Sequence, residues 1–143
     1  MTATVLGNYA GGLSFRISQD GHSFLLDGPR EHGGSDAGPR PKNLLLSALV
    51  GCTGMDVVSI LRKMKVTEFG LEIEATAQSS DDYPVHFTSI ELVYRFRGRG
   101  LPRKKVERAV ELSQNRYCGV SHMLSRAAEL RYSIEYSPPM EDR

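Results

Sequence analysis

Residues 44 to 64, "LLLSALVGCTGMDVVSILRKM", form an apolar run that Ser47, Thr53, Asp56 and Ser59 interrupt before a basic end at Arg62, Lys63 and Lys65. Apolar residues cover most of the helical circumference, which predicts a long central helix buried on most sides. The segment is about long enough to cross a bilayer, but two glycines, a mid-segment aspartate and no second hydrophobic span nearby favour a soluble core over a membrane. With 143 residues the chain is the size of one ordinary domain, so residues 1–143 are expected to fold around this helix as a single unit.

The flanking sequence supplies the wrapping. "TATVLGN" and "LSFRIS" read as strands, and "QDG" turns the second into "HSFLLD", a hairpin over residues 13 to 27. Residues 28 to 41, rich in Gly and Pro, form a long irregular loop of the kind that is more often functional than a mere connector. After the helix, "LEIEATAQ" and "HFTSIELVYRFRG" alternate as strands with one wet face, joined by "SSDDYP". Pro102 suits the first turn of a helix with Val106, Ala109 and Val110 on its apolar side, and Ser113 holds the next place of that stripe. "CGVSHMLSRAAEL" keeps helical spacing through Val120, Met123, Leu124 and Ala127, and "LRYSIEYS" is a last strand before a polar tail. The order β-β-β, helix, β-β, helix, helix, β indicates an α+β fold with an antiparallel sheet.

Bulk charge narrows the partners. Eighteen basic residues against seventeen acidic ones leave +1, so composition points neither to nucleic acid nor to membrane headgroups. "RFRGRGLPRKKVER" is basic but has no interleaved aromatics after Phe96, which fits a solvated face. The amino terminus has neither a basic region nor an apolar core typical of export signals, so a cytoplasmic location, with reduced thiols, is expected.

Two cysteines carry the chemistry. Cys52 and Cys118, 66 positions apart, are too few for a disulfide scaffold and lack paired zinc spacing. A free cysteine is commonly a small buried hydrophobe. Gly51 and Gly54, however, remove side chains beside Cys52 at about 1 kcal/mol of helix stability each. They would give another group clearance to reach the thiol. Cys118 falls where a helix begins, so the free N–H groups there are expected to favour its thiolate. His122, four residues on, shares a helical face with Cys118, but two ligands make no tetrahedral site and a surface histidine is the plainer reading; no metal is expected.

The stretch "GGSDAGPRPKNLLLSALVGCTGMDVVSILRKM", together with "YCGVS" 66 positions after the first cysteine, resembles the OsmC/Ohr superfamily in its OsmC-like branch. The resemblance runs over nearly the whole chain. It implies antiparallel sheets wrapped around a long buried central helix, in an intertwined homodimer with two such helices back to back. It also implies that Cys52 is a peroxidatic thiolate attacking organic hydroperoxides and Cys118 the resolving thiol, with a dithiol reductant restoring both and no cofactor. Peroxidase members of the superfamily place an arginine directly after an N-terminal Gly-Gly and a glutamate after the proline preceding the central helix. Here Leu13 follows Gly11 and Gly12, and Lys42 follows Pro41. Arg16, Arg40 and Lys42 are the candidates to supply the missing charge. "CGVS" likewise keeps Ser121 while losing the proline of C-P-x-S. Two functions follow: a thiol-dependent peroxidase in oxidative stress defence, or a non-peroxidatic protein holding an apolar small molecule in a pocket at the dimer interface.

Overall fold

The computed structural model describes residues 1–138, so the polar tail expected beyond the last strand lies largely outside the described residues. By packing, the chain forms two compact units, the first Met1–Leu45 and the second from Leu46 onward.

The first unit is a three-stranded antiparallel sheet in the order β1 (Leu6–Tyr9), β2 (Phe15–Gln19), β3 (His22–Leu26). The expected hairpin is present, with Gln19 opposite His22. Its two turn residues, Asp20 and Gly21, both take positive φ, of 51° and 77°, the twist that two-residue hairpin turns require. The loop that follows is organised rather than irregular throughout. It contains a 3-10 turn at Arg30–His32, and it is laced to the side chain of Asp27. Asp27 Oδ1 accepts from the Gly28 N–H at 2.7 Å, and Oδ2 accepts from the N–H groups of Ser35 and Ala37, each at 3.1 Å. The Ala37 N–H is the main reason the Asp27 carboxyl is held below the usual carboxylate range; the N–H groups of Gly28 and Ser35 and the Ser14 hydroxyl act in the same direction, against the cost of burial. Close backbone approach makes two glycines necessary here, since a Cβ at Gly34 would run into the Gly28 carbonyl and one at Gly38 into that of Leu25.

The second unit holds the core. Helix α1 (Leu44–Lys63) enters it from the unit boundary, followed by β4 (Gly70–Ser79), β5 (Phe87–Arg97), α2 (Arg103–Leu112), a π-turn at Ser113–Tyr117, α3 (Gly119–Leu124) and β6 (Glu129–Ser137). Strand alternation places Ile90, Leu92, Tyr94 and Phe96 of β5 inward, all at most 1% exposed. They pack with Leu49, Val57 and Leu61 of α1 and Val106, Ala109 and Val110 of α2. Each large side chain buried there contributes roughly 1.5–3 kcal/mol.

Three expectations are corrected. The sheet is β4-β5-β6, and β6 lies parallel to β5, whereas an antiparallel sheet was expected. The reason lies in the connection: β4 and β5 are linked as a hairpin, but β6 is reached through α2, the π-turn and α3, and a crossover of that length returns the chain to the starting end of the strand. The register aligns Arg95 with Glu135 on the outer face, where the guanidinium Nε donates to Glu135 at 3.0 Å and Nη1 to Glu72 at 2.9 Å. Second, α1 is not buried on most sides. Only Leu49, Thr53, Val57 and Leu61, an i, i+4 stripe, are fully covered, while Leu45 and Met55 are 45% and 76% exposed. The chain packs β5 and α2 against one stripe of the helix, and the apolar residues outside that stripe keep part of their surface open. Third, the helix after Cys118 stops at Leu124 rather than continuing through Ala127.

Candidate functional site

The site lies within the second unit and is set by α1 and the segment between α2 and α3. Cys52 stands next to the fully buried Thr53 on α1, which turns its side chain to the flank of the buried stripe and leaves it half-buried. Cys118 occupies the joint where the π-turn ends and α3 starts, and is only 3% exposed. Its N–H donates to the Ser113 carbonyl at 2.8 Å, and its Sγ accepts from the Ser121 N–H at 3.3 Å. The two sulfurs and one carboxylate oxygen of Asp56 all lie within 4.8 Å of one another. Two thiols 66 positions apart in the sequence are thereby brought side by side.

Asp56 is four residues after Cys52, so one turn of α1 presents both to the same side. Its Oδ2 accepts from Ser113 Oγ at 3.0 Å. Behind that bond runs a buried polar chain. Ser113 Oγ and Thr53 Oγ1 are 2.8 Å apart, Thr53 Oγ1 and Tyr94 Oη 2.6 Å apart, and the Gln114 Nε2 donates to Tyr94 Oη at 2.7 Å and to Thr53 Oγ1 at 3.2 Å. Burial pushes the Tyr94 phenol up to about 12, against the opposing bonds from Thr53 and Gln114, so it stays protonated as a donor. Every hydroxyl in this chain has a partner, which is the condition under which buried polar groups rigidify a site.

The helix-start argument for Cys118 is corrected by its surroundings. The Ser121 N–H does favour the thiolate, and the Ser121 hydroxyl acts in the same direction, yet burial outweighs them, the neighbouring Cys52 adds to it, and the net shift of the Cys118 thiol is upward. Cys118 therefore rests as a protonated thiol. Ser121 itself is 2% exposed, and its Oγ has no hydrogen-bond partner in ordinary geometry among the described residues.

The remaining expected residues are placed as follows. Gly51 and Gly54 line a cavity of about 740 Å³ along α1, shared with Val50, Met55, Val58 and Ile73. A Cβ at Gly51 would meet nothing within 4 Å, so this position is open; one at Gly54 would press on Ile73 Cδ1 at 3.3 Å. Arg16, Arg40 and Lys42 belong to the first unit. Arg16 reaches Ser23 Oγ at 3.4 Å, and Arg40 pairs with Asp36 at 2.8 Å and donates to the Gly38 carbonyl. His122 is an exposed helix residue, as expected. Asp56, Thr53, Tyr94, Ser113 and Gln114 were not anticipated as site residues. The C-x-x-x-D spacing was the available signal, since on a helix it stacks the carboxylate over the thiol.

A small α+β protein whose buried joint brings two cysteine sulfurs and a carboxylate together is a dithiol protein in class. The model for the OsmC-like protein family matches residues 33–133, and the chain belongs to that family. Protein YhfA of Escherichia coli strain K12 is 38% identical over 125 residues, which span 87% of this chain and 90% of YhfA, a likeness that sets the chain in a YhfA-like branch. Two solved structures share the fold at low sequence identity. A putative osmotic stress induced and detoxification response protein from Psychrobacter arcticus matches with a TM-score of 0.81 at 18% identity, over 94% of this chain and 97% of its own. The organic hydroperoxide resistance protein OhrB of Bacillus subtilis matches with a TM-score of 0.66 at 19% identity, over 94% and 98%.

Proposed function

We propose that this chain is a thiol-dependent peroxidase that reduces organic hydroperoxides, with Cys52 as the peroxidatic residue and Cys118 as the resolving one. The observation that carries the reading is the approach of the two sulfurs to within 4.8 Å of each other, one half-buried and one buried. The more open sulfur is the one a substrate reaches. Cys52 thiolate attacks the terminal oxygen of the hydroperoxide, the O–O bond breaks, and the departing alkoxide takes a proton to leave as the alcohol. The resulting Cys52 sulfenic acid is then attacked by Cys118 sulfur as its thiol proton is lost; water leaves and the disulfide forms. A dithiol reductant returns two electrons and two protons. The raised pKa of Cys118 suits the second role, because a thiol protonated at rest does not compete for the peroxide.

The same reading takes residues 1–143 as one OsmC-like domain in a cytoplasmic homodimer. Its support is the exposed apolar side of α1, where Leu45 and Met55 stand open while the chain buries Leu49, Thr53, Val57 and Leu61, a face that a second copy would cover. The cavity of about 740 Å³ along that face, mostly apolar, also favours the alternative of a non-peroxidatic protein that holds an apolar small molecule. One comparison decides between them. The peroxidase consumes cumene or tert-butyl hydroperoxide faster than hydrogen peroxide in a dithiol-dependent assay, and Cys52→Ser abolishes that loss; an unchanged rate in the variant overturns the proposal.

A further inference from the structure

We propose that Cys52, Cys118 and Asp56 form a binding site for a thiophilic divalent cation, with zinc as its reference ion. The proposal does not rest on peroxidase activity, because it concerns the reduced protein alone. Three potential ligand atoms, two sulfurs and a carboxylate oxygen, lie within 4.8 Å of one another. Tetrahedral zinc, with Zn–S bonds of about 2.3 Å, sets two sulfurs about 3.8 Å apart, so the site closes on an ion by side-chain adjustment of about 1 Å. Soft thiolates select zinc-like ions over magnesium or calcium, and one carboxylate beside them suits a borderline ion. Three protein ligands with a fourth position left for water or an external ligand is also the pattern of open zinc sites.

A second observation is independent of the cluster. The carboxylate is oriented from behind: Ser113 Oγ donates to Asp56 Oδ2 at 3.0 Å and is itself tied to the Thr53, Tyr94 and Gln114 chain. Ligand carboxylates are commonly fixed in this way by outer partners. Written from the dithiol form, binding of M²⁺ by the two cysteines as thiolates releases two protons to solvent. The ion and a Cys52–Cys118 disulfide are then mutually exclusive, because the disulfide removes both thiolate ligands.

The test is a zinc titration of the reduced full-length chain under anaerobic conditions against a chromophoric chelator. One equivalent per chain is expected for the wild type, none for Cys52→Ser or Cys118→Ser, and affinity at least about tenfold weaker for Asp56→Asn, on the scale set by losing a metal-site partner. Cobalt substituted at the site gives thiolate-to-metal charge-transfer bands, and oxidation of the wild type with diamide releases one equivalent of metal. Folding of each variant is checked by circular dichroism, and Asp56→Asn, nearly isosteric, keeps the assignment falsifiable should a cysteine variant unfold. Zinc held equally well by Asp56→Asn or Cys52→Ser, or no zinc retained by the wild type, overturns the proposal.

Discussion

Two aspartates, one in each unit, show how the same side chain is put to opposite uses. Asp27 directly follows β3, with its oxygens committed to the N–H groups of Gly28, Ser35 and Ala37, and its charge holds the loop in shape. Among the described residues Asp56 accepts one side-chain hydroxyl, that of Ser113, and it sits beside two sulfurs. A carboxylate saturated by backbone donors is a structural staple, while one left with a single neutral donor next to reactive groups retains capacity for chemistry.

The largest expected effect is on the reactive side. Cys52→Ser brings dithiol-dependent loss of cumene hydroperoxide to background, whereas Asp27→Asn leaves the rate within the range of its effect on folding; a coupled peroxidase assay reads both. Next comes the polar support of Asp56. Ser113→Ala strips Asp56 and Thr53 of one partner and is expected to cost about 1–3 kcal/mol in urea unfolding, the range for stranding a buried polar group.

A pH series then tests the staple at Asp27. Because the folded-state pKa of Asp27 is depressed, its contribution to stability is present above the unfolded-state value near 3.8 and is lost as pH falls through the folded value. Asp27→Asn is expected to lower the melting temperature at neutral pH and to flatten the acid limb of the wild-type profile. Equal acid limbs in the two proteins would remove Asp27 from its assigned role. The smallest effect is at the loop surface, where Arg40→Ala breaks the pair with Asp36 and shifts stability by no more than about 1 kcal/mol.

Much of the fold was legible in the sequence because alternation and helical spacing are local. Period-two alternation in "HFTSIELVYRFRG" puts Ile90, Leu92, Tyr94 and Phe96 on one face, and all four are buried. Partner choice is not local. Nothing in "LRYSIEYS" says whether Tyr132 faces Leu92 from a parallel or an antiparallel neighbour, and it does so from a parallel one. In the site, the cysteine pair was legible from motif and spacing together, but Asp56 read as an interruption of an apolar run. Its meaning depends on Ser113 and Cys118, which the second unit brings back to α1 from about sixty residues away. The thiol state of Cys118 shows the same limit: the helix start is visible in "CGVS", while the burial that reverses its effect is a property of the packed chain.

The most direct measurement on the central claim is to treat the reduced protein with one equivalent of cumene hydroperoxide and map the cysteines by mass spectrometry. The account predicts one intrachain Cys52–Cys118 disulfide, a mass lower by two hydrogens and one equivalent of alcohol released, with a Cys52 sulfenic acid trapped in Cys118→Ser. Both thiols remaining reduced after exposure, in a protein that still forms the disulfide with diamide, would contradict it.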